Sequence, residues 1–225
     1  MQTPHAVAAL LTECFDAQHR ATAAWHVAEP PAHEPAPETP EPMDAGGTAA
    51  DAALLHRLVL AQHLMNFRLW HVEDTARRID VGPDVIARCK RTIDGLNQRR
   101  NDYMEKVDAC VVALLRPLLP APAPGQRPRH NTESLGMAVD RLSILSLKVF
   151  HMEEQAERTD AAPEHRQRCA DKLAVLREQR ADLAQAVLDL AGEFLEGRKQ
   201  PKAYYQFKMY NDPSLNPELY KNVKG

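Results

Sequence analysis

The sequence has no surplus of positive charge and no long apolar run, and each lack removes a class of function. With 28 lysines and arginines against 31 aspartates and glutamates, the formal net charge is -3, so no overall basic field invites nucleic acid. No stretch approaches the roughly 18 apolar residues of a membrane span. The opening MQTPHAVAALLTECFDAQHR has no basic segment leading into an apolar one, so the chain is expected to stay in the cytoplasm. The four cysteines, at 14, 89, 110 and 169, form no C-x-x-C pair and are expected to be reduced, buried thiols. Also missing are a glycine-rich phosphate loop, G-x-S-x-G and H-E-x-x-H, the commonest nucleotide-binding and hydrolase signatures.

What is present is an internal repeat. HVEDTARRID, from His71 to Asp80, returns 80 residues later as HMEEQAERTD, from His151 to Asp160. Without a gap the match continues through Pro83 and Pro163, Cys89 and Cys169, Leu96 and Leu176, Arg100 and Arg180, and Val107 and Val187. Twelve of the 37 positions from 71 to 107 are identical, which points to two copies of one helical hairpin. The expected fold class is all-α, an up-down four-helix bundle built from two duplicated hairpins. The bundle is placed at 51–197, with hairpins at 51–116 and 131–196. An N-terminal satellite helix is expected at 1–27 and a proline- and glutamate-rich linker at 28–50. The irregular aromatic tail at 198–225 is expected to dock on the bundle, being too apolar to run free.

Apolar steps of three and four support these helices. In the first, Leu55, Leu58, Met65, Leu69, Val72, Ala76 and Ile79 make a core stripe, with a second stripe of Leu60, Leu64, Phe67 and His71. Such a helix is apolar on most sides and must be enclosed, by the satellite helix or the tail. Gly82-Pro83 starts the second helix, and Pro117 ends it.

Three constellations could carry chemistry. Residues three apart on a helix are neighbours, so His71 with Asp74 and His151 with Glu154 form two pairs at equivalent repeat positions. Two histidines and two carboxylates could hold a divalent metal. The bland alternative is helix electrostatics, with Asp74–Arg78 and Glu154–Arg158 as ion pairs. Arg100 and Arg180 each interrupt an apolar seam, and a buried guanidinium must be paired. Folding the hairpins places Asp140 within reach of Arg180, while Arg100 finds its partner in the other copy or in an anionic ligand such as a phosphate. Lys208, Tyr210, Asn211 and Asp212 form a polar turn before Pro213, suited to a lid over a sugar or nucleotide.

The strings LWHVEDTAR, KRTIDGLNQRRNDYMEKVD, DRLSILSLKVFHMEEQAERTD and QFKMYNDPSLNPELY resemble a bacterial family of unknown function whose genes often lie among those for lipopolysaccharide and other surface glycans. The resemblance covers most of residues 54 to 225. It implies a setting, surface-glycan biosynthesis, and no catalytic residues. The resulting expectation is a helical bundle acting by binding or assembly with a glycosyltransferase or a phosphorylated sugar. The alternative is a metal-dependent enzyme, a phosphohydrolase on nucleotide sugars, with the histidine-carboxylate pairs as ligands and the two arginines as phosphate clamps.

Overall fold

The computed structural model describes residues 3–31, 51–121, 125, 129–203, 205 and 212–221. They form an all-α bundle: α1 (Pro4–Val27), α2 (Ala52–Ala76), α3 (Pro83–Leu115), α4 (Leu135–Glu157), α5 (Pro163–Leu195) and a single turn, α6 (Pro217–Tyr220). Among the described residues there is no strand, and no helix is long and apolar enough to cross a membrane.

Local chemistry sets where each helix begins. Asp51 accepts the Leu54 amide at 2.6 Å, and Ser134 accepts the Met137 amide at 3.3 Å. Each thereby satisfies one of the four amides a helix start leaves without partners. α3 and α5 instead begin on Pro83 and Pro163, where a missing N–H costs nothing. The repeat therefore preserves both the start signal and the 33-residue length of the second helix in each hairpin. Short turns fold α2 onto α3 and α4 onto α5, and the two hairpins meet through α2, α3 and α4.

One core holds the whole together. Leu54, Leu55, Leu58 and Val59 of α2 pack with Val107, Cys110 and Leu114 of α3, Leu142 of α4, and Val187, Leu190 and Phe194 of α5. α1 is part of this core and not an appendage. It contributes Val7, Leu11, Cys14 and Phe15, and further on its Trp25 lies edge-on to Phe67, covering the second stripe of α2. All four cysteines are free and buried, and burial pushes the Cys14 and Cys110 thiols up to about 12.

Two features at the end of α2 differ from expectation. α2 stops at Ala76, so Ile79 falls in the turn and is fully exposed. The same early stop removes the expected Asp74–Arg78 ion pair, because an i, i+4 pair needs helix through both residues. Arg78 turns to Asp80 instead, at 3.0 and 2.6 Å, and in the other copy Arg158 turns to Asp160 at 3.1 and 2.8 Å.

α3 and α4 approach most closely at Gly136. A methyl group there would stand 2.5 Å from the Met104 carbonyl oxygen. Asp108 fills the same corner, accepting the Gly136 amide at 2.7 Å and the Ser134 hydroxyl at 2.6 Å. Burial nevertheless raises its carboxyl to about 6. At the same end of the bundle the first residues after α5 are tied down, with the Gln200 amide on the Arg129 carbonyl at 2.8 Å and Lys199 on Asn131 at 3.1 Å, whereas further along Tyr205, Leu215, Leu219 and Tyr220 are exposed.

Candidate metal centre

Three helices bring three histidines to one place. His26 comes from the last turn of α1, His71 from α2 and His151 from α4, and one ring nitrogen of each lies within 4.8 Å of the others. His71 and His151, the two members of the repeat, stand 5.9 Å apart between ring centres, with His26 5.1 and 4.8 Å from them. The rings are held by aromatic neighbours: Phe150 stacks on His26 at 4.0 Å, and Trp70 lies nearly parallel to His151 at 4.6 Å.

The hydrogen bonds decide which nitrogens are free. His26 Nδ1 is 2.7 Å from the Thr22 carbonyl, which can only accept, so Nδ1 carries the proton. His151 Nδ1 is 2.8 Å from the Glu154 carboxylate and donates in the same way. The Nε2 atoms of both rings are therefore lone-pair acceptors, and both are buried with no hydrogen-bond partner. Fixing Nδ1–H on a carbonyl or carboxylate, so that Nε2 is bare and correctly turned, is how proteins prepare imidazoles for a metal. Burial, followed by the repulsion that a proton on His26 or His151 would add, lowers the pKa of His71. His71 therefore takes up a proton less readily than a free imidazole.

Imidazole nitrogens suit Zn, Cu, Fe and Ni. A tetrahedral zinc site holds its nitrogens about 3.3 Å apart, given Zn–N bonds near 2.0–2.1 Å. Closure by roughly 1.5 Å at the widest pair would complete it. Three neutral ligands leave a fourth position for water or substrate, the composition of a catalytic site more than a structural one.

The expected ligand set is thus altered in two members. His71 and His151 come together, but Glu154 stands behind His151 as its hydrogen-bond partner. Asp74 is exposed and lines a separate groove with Arg100 between α2, α3 and α4. His26 enters from outside the repeat. Its only sequence signal is its place beside Trp25 at the end of an amphipathic helix, and no spacing rule connects it to His71 across the intervening linker.

A buried polar chain supports the α1 side of the cluster. The Thr22 hydroxyl donates to the Gln18 carbonyl at 2.9 Å, so the His63 contact at 3.0 Å must run from His63 Nε2–H to Thr22. His63 Nδ1 then accepts from the Ser143 hydroxyl at 2.7 Å, and Ser143 accepts from Asn66 at 2.9 Å. Asn66 also donates to Asp140 at 2.9 Å, as does Gln62. Every proton in this chain has one direction. His63 is fully buried, and burial drives its pKa down to about 3.

The seam arginines part company. Arg100 Nε lies 3.7 Å from Asp140, so its carboxylate does come from the other copy. Arg180 does not reach Asp140, which α2 and α3 have already engaged. It donates to Ser146 at 3.1 Å and to the Phe15 carbonyl of α1 at 2.7 Å. Neither set of contacts includes one of the three histidines. Lys208, Tyr210 and Asn211 lie outside the described residues. Asp212 makes a local turn, accepting the amide and hydroxyl of Ser214 at 2.8 and 2.6 Å.

An all-α bundle that gathers three histidines from three helices, two of them with a bare, buried Nε2, is a candidate metalloprotein by its geometry. By sequence, residues 56–203 match the family described as "Protein of unknown function (DUF4254)", and the chain belongs to that family. No curated protein and no solved structure matches it. His71 and His151 fall within the matched segment, whereas His26 precedes it.

Proposed function

We propose that the protein is a metal-dependent enzyme of surface-glycan assembly, a phosphohydrolase acting on nucleotide sugars or related phosphorylated sugars, with His26, His71 and His151 as ligands. The observation that carries the metal is the pair of buried, partnerless Nε2 atoms facing a third histidine. The glycan setting rests only on the resemblance of the four strings quoted above. A divalent ion with an open position polarises a phosphoryl oxygen and acidifies its bound water. The chain's own part is to hold His26 through Thr22 and His151 through Glu154, and to keep Trp70 and Phe150 as an apolar wall.

Beside His151 a groove of about 670 Å³ opens between α4 and α5, floored by Trp70, Met152 and Leu176 and flanked by Lys148 and Lys172. A substrate reaching the open position from this side would pass two lysines and one carboxylate, Asp171, a net positive lining that suits a phosphorylated molecule. Binding or assembly without metal is the second reading, with the histidines as an aromatic cluster only.

Elemental analysis of purified protein, and of chelated protein after dialysis against Zn²⁺ or Mn²⁺, separates the two. One equivalent per chain, lost in His26→Ala and in the double variant His71→Ala, His151→Ala, supports the enzyme. Phosphate release from sugar nucleotides by metal-loaded protein then tests the reaction. Metal-free protein whose fold is unchanged in the variants removes it.

A further inference from the structure

The repeat relates α2 to α4 and α3 to α5 by 80 residues, so each surface of one hairpin has a counterpart on the other. α1 breaks that equivalence. It lies against α2, α4 and α5. Its second half sets His26 on Phe67 and Phe150, gives the Phe15 carbonyl to Arg180, and places His19 in the field of Glu153 and Arg177. Displaced by 80 residues, these five positions become Leu147, Trp70, Arg100, Glu73 and Asn97. All five line a single groove of about 350 Å³ between α2, α3 and α4. That groove is the counterpart of the seat of α1, and no helix of the described residues fills it.

We propose that this groove is a second helix seat, which docks an amphipathic helix of a protein partner with a basic residue on its inner face. The filled seat is the template. Along α2 the groove runs from Asn66 to Arg77, a rise of about 16 Å or three helical turns, which is ample for apolar anchors at i, i+3 or i+4, and i+7. Leu69, Trp70 and Leu147 supply the apolar floor. In the filled seat the terminal amino group of Arg180 donates to a helix carbonyl while its Nε is held by Ser146, whereas in the open groove Arg100 has the Asp140 carboxylate 3.7 Å from its Nε and no helix carbonyl beside it.

The charges leave one carboxylate for a basic partner. In the filled seat Arg177 is hydrogen-bonded to Glu153. Its counterpart in the open groove is the uncharged Asn97, and Glu73 pairs instead along its own helix with Arg77, at 2.6 Å. Asp74 is left as the exposed carboxylate of the groove, where a lysine or arginine of the incoming helix would meet it. Trp70 joins the groove to the histidines, since it lines the first and stacks on His151.

The probe is a fluorescein-labelled peptide of residues 4–27, the helix that fills the counterpart seat, titrated into the full chain with chelator present so that metal plays no part. One peptide per chain is expected to bind, with photo-crosslinks to segments 66–77 and 97–100. Glu73→Lys should weaken binding at least tenfold, while Glu178→Lys on the exposed side of α5 leaves it unchanged. Both changes are at solvent-accessible positions, and unaltered circular dichroism and melting confirm the fold. The proposal is overturned by absence of binding up to 1 mM peptide, or by crosslinks on Phe150 and Arg180, which mean that α1 is merely displaced. A protein that is dimeric alone, and made monomeric by Glu73→Lys, also overturns it by assigning the groove to a second copy.

Discussion

His63 offers the sharpest quantitative test of the buried network, through pH. Its folded pKa, about 3, lies below its unfolded value near 6.5. As pH falls below 6.5 the unfolded chain binds a proton that the folded chain refuses, so stability is complete above 6.5 and declines below it. The slope is about 1.4 kcal/mol per pH unit, which accumulates to about 2 kcal/mol at pH 5. Asp108 works the other way. Its folded pKa of about 6 exceeds the usual 3.8, so below pH 6 the folded state takes up the proton first. The gain at pH 5 is on the order of 1 kcal/mol. The lowered pKa of His71 adds to the loss and the raised pKa of Asp140 to the gain, so the wild-type profile should be shallow because opposing terms overlap.

The variants separate these terms. Each kcal/mol moves Tm by about 2–4 °C in a chain of this size. Between pH 7.5 and 5, Tm of His63→Gln should therefore fall about 4–8 °C less than that of the wild type, whatever the substitution costs at neutral pH. Asp108→Asn should fall further than the wild type by about 2–4 °C. Circular-dichroism melts with chelator present make the measurement. Parallel profiles for wild type and His63→Gln would refute the reasoning, because His63 would then take up a proton in the folded state and the chain from Asn66 to Gln18 could not run as assigned.

Other expectations follow from single contacts. Metal at 100 times its Kd should stabilise the protein by about 2.7 kcal/mol, raising Tm by about 5–10 °C, and Glu154→Gln should weaken metal binding about tenfold or more by loosening His151, as isothermal titration would show. Gly136→Ala should cost about 1–3 kcal/mol in denaturant melts, since α3 and α4 must separate to admit a methyl group. Arg100→Leu, close to neutral if the arginine were only tolerated, should instead destabilise by about 1–3 kcal/mol at pH 7, because Asp140 would keep its burial and lose its counter-charge. Restored stability in Arg100→Leu, Asp140→Asn would confirm the coupling.

How far the molecule was legible from its residues depended on range. Helix ends, the two hairpins and most seam positions follow from proline, capping residues and apolar period, which act over one or two turns. Ile79 failed by three residues because the periodic pattern outlasts the helix. His71 and His151 could be paired because the repeat puts equal positions at equal heights. Asp140 defeated the same reasoning: its height matches Arg180, yet it faces α2 and α3 and pairs with Arg100.

The amino-acid order alone determined a doubled helical hairpin and the two histidines that the doubling repeats, since both depend on spacing along the chain. Only the tertiary structure decided that α1 enters the core, that His26 completes the cluster, and that of two equivalent grooves only one holds a helix of the described residues. Those outcomes depend on which face of a helix meets a segment joined to it by a long connection, and burial across such a distance leaves no periodic trace in either partner.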